Sequence, residues 1–418
     1  MNKFFALSII SIVFLFNACE LNKVEDEPLD KGNFVQITLP NGGQSLIESS
    51  NDFCLDVFKE IFSNSEKVEN IFISPLSLSM ALSMTCNGAS GNTLDSIIYA
   101  LRLSDLSLDE INAVNKTLTN KLPSVDEKVD LGIANSIWYR EDFQVLNDFI
   151  NVNETNYNAE VEELDFNDPN VKDIINGWVE VQTNGKIKDL IKKVEPVNVM
   201  FLINALYFNA DWTIAFNEDE TSGSTFRLDN GNTTEVDMMK MKDTIAYYTN
   251  DNFSAIELEY GQGNFTMLVM LPSGQQNVSR FLENMDYNQL DECITGLTKR
   301  EVHVQLPKFR FGYEIELNQV LTNMGMGIAF GSFADFSKIN GTGGLYIDYV
   351  LQKSFIDVSE KGTEAAAATV VAVSELSAIG GSSDIWFTAD KPFVFFIREK
   401  STGAILFTGL ISEPTMEE

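Results

Sequence analysis

Between residues 51 and 63, apolar side chains recur at helical spacing. Phe53, Val57, Phe58, Ile61 and Phe62 share a face, which predicts a first amphipathic helix. Ser74-Pro75 supplies a capping hydroxyl and a first-turn proline, and Leu76 to Cys86 continues as a mostly apolar, buried helix that Asn87-Gly88 ends. Later segments change period. Gly132–Tyr139, Leu202–Phe208, Phe265–Leu271 and Val302–Phe311 are apolar or alternating and predict strands. Phe393–Ile397 and Ala404–Leu410 flank a polar turn and predict a buried hairpin. Helices dominate early and strands late, which indicates an α+β domain with large, mostly antiparallel sheets. There is no internal repeat and no second linker, so Asn51 to Pro414 is expected to be one domain.

The first 18 residues break this pattern. Lys3 precedes an apolar run, Phe4 to Phe16, that is too short to span a bilayer comfortably and reads as a signal peptide. It ends in Phe16-Asn17-Ala18-Cys19, which resembles a bacterial lipobox with Cys19 as the lipidated residue. Residues 19–45 follow as a lipid-anchored acidic tether, and residues 46–418 as the folded domain. The expected location is the bacterial cell envelope, on the outer membrane. Acids this close to the cysteine also resemble surface-export signals of some Gram-negative bacteria.

Composition narrows the chemistry. The 418 residues carry a net charge of -32, which repels nucleic acid and anionic membrane, so membrane contact is expected through the lipid anchor only. The one histidine, His303, sits in an alternating stretch and should face solvent or a polar pocket. No ligand cluster for zinc accompanies it, no G-x-S-x-G elbow offers a serine nucleophile, and Gly185-Lys186 is followed by Ile187 where a P-loop needs Ser or Thr. Cys19, Cys54, Cys86 and Cys293 fit no disulfide framework or metal motif, and Cys54 and Cys86 read as buried free thiols. Neither a metal nor another cofactor is expected, and an envelope hydrolase would need a catalytic constellation that is not apparent.

The most informative stretch is Glu360 to Ser377. From Gly362 to Ser374 the only charge is Glu364. Threaded as a strand, one face carries Thr363, Ala365, Ala367, Thr369, Val371 and Val373, while Glu364 lies on the other with Ala366, Ala368, Val370, Ala372 and Ser374. Such a segment can enter the middle of a sheet without stranding a charge. Alanine is a poor strand former, however, and Ser377 to Ser383 has loop composition. By itself the stretch also fits a plain edge strand, or an Ala-rich helical turn running into a loop.

Here the chain resembles the serpin family. The hinge Val358-Ser359-Glu360-Lys361-Gly362-Thr363-Glu364-Ala365-Ala366-Ala367-Ala368-Thr369 is similar to that of inhibitory members. The resemblance also runs through Asn70 to Ser77, Gly88 to Thr93, Ala134 to Trp138, Tyr157 to Val161 and Thr183 to Ile187. Asn204 to Phe208, Trp212, Phe216, Leu306 to Phe309, Ala334 to Ser337, Asp390 to Phe393 and Gly409 complete it. It implies three β-sheets with about nine helices, and an exposed reactive-centre loop at about residues 360–389 held outside a five-stranded main sheet. It implies a monomeric suicide inhibitor of serine proteases, and for some members of cysteine proteases, not an enzyme. The attacked bond is placed sixteen residues after Glu360, at Leu376–Ser377, with Glu375 and Ile379 as the other candidates. An apolar Leu376 implies a partner protease of chymotrypsin-like or elastase-like specificity. A sheet-opening region is placed at Ser74, Ser77, Asn204, Gln352 and Trp212; most members carry His where this chain has Gln352, whose amide can also donate and accept. The alternative is a non-inhibitory serpin acting as carrier or chaperone.

Overall fold

The computed structural model describes residues 34–417 apart from 66–67, 196, 275 and 364–383. The expected signal segment, Cys19 and the expected tether up to residue 33 lie outside the described residues. The chain is already packed at residues 35–39. Val35 exchanges hydrogen bonds with the Asn264 side chain (3.2 and 2.7 Å), and Ile37 is buried. The tether therefore cannot reach residue 45 as expected. The first helix, α1 (Gly43–Asn64), begins well before the periodic stretch, because Gly42 at φ 75° provides the left-handed turn into it. Asn41-Gly42-Gly43 has the composition of a linker but serves as a helix start.

Further helices are α2 (Pro75–Cys86), α3 (Gly91–Ala100), α4 (Leu108–Lys121), α5 (Asn147–Tyr157), α6 (Val171–Gln182), α7 (Val278–Asn284) and α8 (Tyr287–Gly296), with helical turns at Asn318–Leu321 and Ser337–Asn340. In α2 the Ser74 hydroxyl accepts from Ser77 N and Pro75 fills the first turn, as the sequence predicts. Nearly every residue of α2 is buried, because it runs beneath the main sheet.

That main sheet has the order β10 (Phe309–Glu316), β11 (Leu351–Val358), β12 (Gly362–Thr363), β4 (Met200–Asp211), β2 (Val129–Arg140) and β3 (Glu160–Leu164). A second ladder runs β1 (Ile71–Ile73), β15 (Ile405–Ile411), β14 (Phe393–Glu399), β8 (Phe265–Pro272), β7 (Phe253–Tyr260), β6 (Thr233–Thr249), β9 (Thr298–Pro307) and β13 (Ile385–Thr388), with β5 (Ser222–Arg227) also on β6. The long β6 joins two groups of strands, pairing β7 at Ala246–Thr249 and β9 at Met238–Tyr247. Counted this way, three sheets are present. All ladders are antiparallel except β2–β3 and β9–β13.

The predicted strand Val302–Phe311 is in fact two. It breaks at Lys308, and β9 and β10 enter different sheets. Pro307 has no N–H to extend a ladder, yet Leu306, Phe309 and Phe311 are all buried, so the apolar pattern runs on through the break. The predicted hairpin is β14–β15, buried at every residue. Glu399 closes its turn by accepting from Ser401 N, Thr402 N and Thr402 Oγ1 at 2.6–2.8 Å.

One core fills the space between the sheets and helices, and a smaller one lies under α6, where Val171, Ile175 and Val179 cover Trp138, Phe201 and Ile203 of the main sheet. Phe72 links the two ladders. Its ring packs on Phe407, Phe395 and Phe311 at 5.2, 5.9 and 6.4 Å, and its carbonyl accepts from Ser354 Oγ of β11. Phe72→Ala should lower native stability by roughly 3–5 kcal/mol, read as an earlier urea-unfolding midpoint; a shift below about 1 kcal/mol would show that these ladders are not joined through this ring.

Candidate functional site

The site begins where β11 ends. Ser359 to Gly362 form a tight turn, with Ser359 N donating to Gly362 O (2.9 Å) and Gly362 N to Ser359 O (3.3 Å). Gly362 and Thr363 then run back as β12, antiparallel to β11 on one side and to β4 on the other. Only glycine fits at 362, because a Cβ there would lie 2.1 Å from the Ala210 carbonyl oxygen. Thr363 faces inward, and its hydroxyl is 2.6 Å from the Tyr260 hydroxyl. Trp212 stacks on Tyr260 at 4.2 Å and fixes the turn from the other side. Its indole N–H donates to Ser359 O (3.0 Å) and its backbone N–H to Lys361 O (2.7 Å).

Glu360 anchors this turn from below. It is buried, Lys308 Nζ lies 2.9 Å from Oε2, and Thr221 Oγ1 donates to Oε1 at 2.8 Å. Burial alone would push the carboxyl up. The hydrogen bonds from Lys308, the backbone and Thr221 outweigh it, so its pKa falls below the usual carboxylate range. Lys308 occupies the break between β9 and β10, so the irregularity that divides two sheets also supplies the cation under the hinge.

Below Thr363, β4 and β11 flank a slot. Among the described residues no ladder joins these two strands. A cavity of about 290 Å³ opens between them, floored by Ser74, Ser77 and Leu78 of α2. The expected sheet-opening residues do gather here, with one rearrangement. Gln352 takes both backbone groups of Ser74, accepting from its N–H (3.0 Å) and donating to its carbonyl (2.8 Å). The Ser74 hydroxyl donates to Leu406 O, and Ser77 Oγ donates to Asn204 O at 3.2 Å. The Asn204 amide turns toward β2 and donates to Asn135 Oδ1 at 2.6 Å. Each strand is thus tied to the start of α2, and Gln352 makes the tie on the β11 side through both backbone groups of Ser74. Trp212 belongs to the hinge end, not to this cluster.

Of the hinge expected from the sequence, Glu360, Gly362 and Thr363 are described. Glu364, Ala365, Ala366, Ala367, Ala368 and Thr369 lie outside the described residues, as do the candidate bond residues Glu375, Leu376, Ser377 and Ile379. The sequence pattern assigns no role to Lys308, Thr221 or Tyr260; Lys308 stands out only as part of the Leu306–Phe309 run that carries the family resemblance. His303 is on the outer face of β9, stacked on Trp386 of β13. Cys54, Cys86 and Cys293 are buried free thiols, and burial pushes Cys86 and Cys293 up to about 12, so neither of these two is a thiolate at neutral pH.

The Glu360 anchor makes a prediction. A carboxylate whose folded pKa is depressed contributes stability above its unfolded value and loses it as pH falls through the folded one. Hydrogen exchange at the Gly362 and Thr363 amides should therefore accelerate, relative to intrinsic rates, as pH drops below about 4.5, the ordinary value for Glu. Glu360→Gln should show the faster exchange at pH 7 already. Unchanged protection in that variant would remove Glu360 from the hinge's support.

Comparison with known proteins follows the same outline. The family model described as Serpin (serine protease inhibitor) matches residues 48–414. Human Serpin B11 is 34% identical over 88% of this chain and 100% of its own length, and the leukocyte elastase inhibitor of Bos taurus is 32% identical over 89% and 100%. Among solved structures, native tengpin, a thermophilic serpin, superposes with a TM-score of 0.80 at 32% identity, covering 92% of this chain and 98% of its own. Thyroxine-binding globulin in complex with thyroxine gives 0.79 at 30% identity, covering 89% and 100%.

Proposed function

Because the chain belongs to the serpin family, we propose that it is a suicide inhibitor of serine proteases, consumed in a single trapping event. The observation that carries this reading is the seated hinge: Gly362 and Thr363 already occupy the first two positions of a strand above a slot that no other described strand fills.

The register of β12 says what insertion would do. Thr363 lies beside Val358 and Ala210. Continued in the same register, Ala365 would come between Ile356 and Phe208, both buried, and Thr369 between Gln352 and Asn204. Odd-numbered residues of the segment would face the core, and they are the small, uncharged set, while Glu364 would face outward. In the proposed cycle a target protease attacks the carbonyl of Leu376, its serine forms the acyl-enzyme, and the Ser377 amine leaves. Freed at that bond, the segment enters the slot and carries the acylated protease with it, so the ester is not hydrolysed in time. Glu375 and Ile379 remain the neighbouring candidates for the attacked position. A relative that inhibits leukocyte elastase supports a partner with an apolar primary pocket. The reading includes a mature chain held on the outer membrane through a lipid on Cys19 and acting as a monomer, which the apolar run Phe4–Phe16 and the Ala18-Cys19 pair support. Partition into detergent, lost in Cys19→Ala, tests that placement.

Thyroxine-binding globulin shows that this fold also serves a carrier, which is the competing reading. Trapping separates the two. Mixed with chymotrypsin-like and elastase-like enzymes, the wild-type chain should give a boiling-resistant complex on a denaturing gel, and the cleaved chain should melt at a markedly higher temperature. Clean cleavage with neither result supports the carrier. Ala365→Arg, which would bring a cation between Ile356 and Phe208, should raise the stoichiometry of inhibition roughly tenfold or more by stalling insertion. If that variant traps protease as efficiently as wild type, the segment does not enter the slot in this register.

A further inference from the structure

The described chain resumes after the loop at Asp384, and β13 follows at once as an edge strand. It is held to β9 by a parallel ladder from Ile385–Val302 to Thr388–Gln305. A short parallel edge strand is weakly held by its backbone alone. Here a side-chain stack is added. The rings of His303 and Trp386, opposite each other in the ladder, lie 4.2 Å apart at 13°, although the Trp386 side chain is otherwise exposed. Among the described residues His303 Nε2, a buried atom, has no hydrogen-bond partner, and it lies 3.9 Å from Asp384 Oδ2.

We propose that His303 is the positioning residue for the leaving-side leg of the loop, and that a proton on its Nε2 tightens the hold of β13. The proton, taken from solvent, would convert an unpartnered buried nitrogen into a donor aimed at the Asp384 carboxylate. It would also place a cation against the face of an indole. Imidazole is the side chain that ordinarily titrates between pH 5 and 8, and this is the chain's one histidine. Among the described residues the charged groups facing it are few. From β13 there is Asp384. From β9 there is Glu301, two residues along the same face. From β6 there is Lys242, opposite in the ladder but held 2.9 Å from Glu301, and Lys240, bonded to Ser222 Oγ. The carboxylate nearest the ring nitrogen is thus Asp384, at the foot of the loop. The role assigned to the loop rests on the inhibitor reading; the proton-dependent hold on β13 does not.

The test uses the full chain. The single imidazole is titrated by NMR while amide exchange at Ile385–Thr388 is followed from pH 5.5 to 8 and corrected for intrinsic rates. Wild-type protection should fall several-fold across that interval with the midpoint of the imidazole. His303→Gln should abolish the step, and Asp384→Asn, at an exposed position, should shrink it and move the midpoint to lower pH. Trp386 fluorescence, isolated by difference from Trp386→Phe, should follow the same titration. If protease complexes form, the half-life of trapping activity at elevated temperature should shorten over the same pH range in wild type and stay flat in His303→Gln. A pH step that survives in His303→Gln, or an imidazole that titrates while β13 protection stays constant, overturns the proposal. Absence of any protease complex with the step intact refutes the inhibitor reading alone.

Discussion

The fold depends on two long strands that lie in one sheet without pairing. β4 and β11 run in the same direction, since both are antiparallel to β12, and below Thr363 no described strand lies between them. A strand edge inside a protein carries a row of backbone donors and acceptors that must find partners or bear the cost of lacking them. The slot is therefore a standing demand for one more strand. Its two sides are held locally: Gln352 holds β11 to Ser74, Ser77 holds β4 through the Asn204 carbonyl, and both contacts are made on one end of α2. On the inhibitor reading, entry of a strand between β4 and β11 would have to act on the contacts at that helix start.

On the inhibitor reading, the magnitudes explain why such a state can do work. Filling the slot with residues 364–374 would form on the order of ten backbone hydrogen bonds, each worth about 1 kcal/mol net. That sum matches the entire stability of an ordinary domain, about 5–15 kcal/mol. The native chain would then persist because a barrier separates it from the inserted form, not because it is the lowest state. The hinge suits a barrier of this kind. Glu360 is held by Lys308 and Thr221, while beyond it Gly362 and Thr363 are already in register. A fixed pivot and a started strand limit what insertion must still organise.

Much of this was legible in the sequence, where the signal was periodicity or capping. Helix α2, the β14–β15 hairpin and the α+β order follow from apolar spacing, Ser-Pro at a helix start and Gly at its end. The alternation of small residues after Gly362 exposed a segment fit for the middle of a sheet, and the resemblance then gave it a destination. What the pattern hid was contact between distant residues. Leu306, Phe309 and Phe311 continue one apolar period across two sheets, so the break at Lys308 is silent, and with it the cation under Glu360. Gly42 looked like linker because only its left-handed φ makes it a helix start. The His303–Trp386 stack joins residues 83 apart in number across a parallel ladder that no local pattern encodes.

The exchange of His for Gln in the sheet-opening cluster changes how this chain can sense its surroundings. An amide satisfies both backbone groups of Ser74 and does not titrate, so the grip on β11 is the same at every pH. The hinge, by contrast, does titrate: Glu360 responds only in acid, where protonation weakens its hold. On the inhibitor reading, acid would therefore loosen the end of the loop that inserts while leaving the Gln352 grip on β11 unchanged.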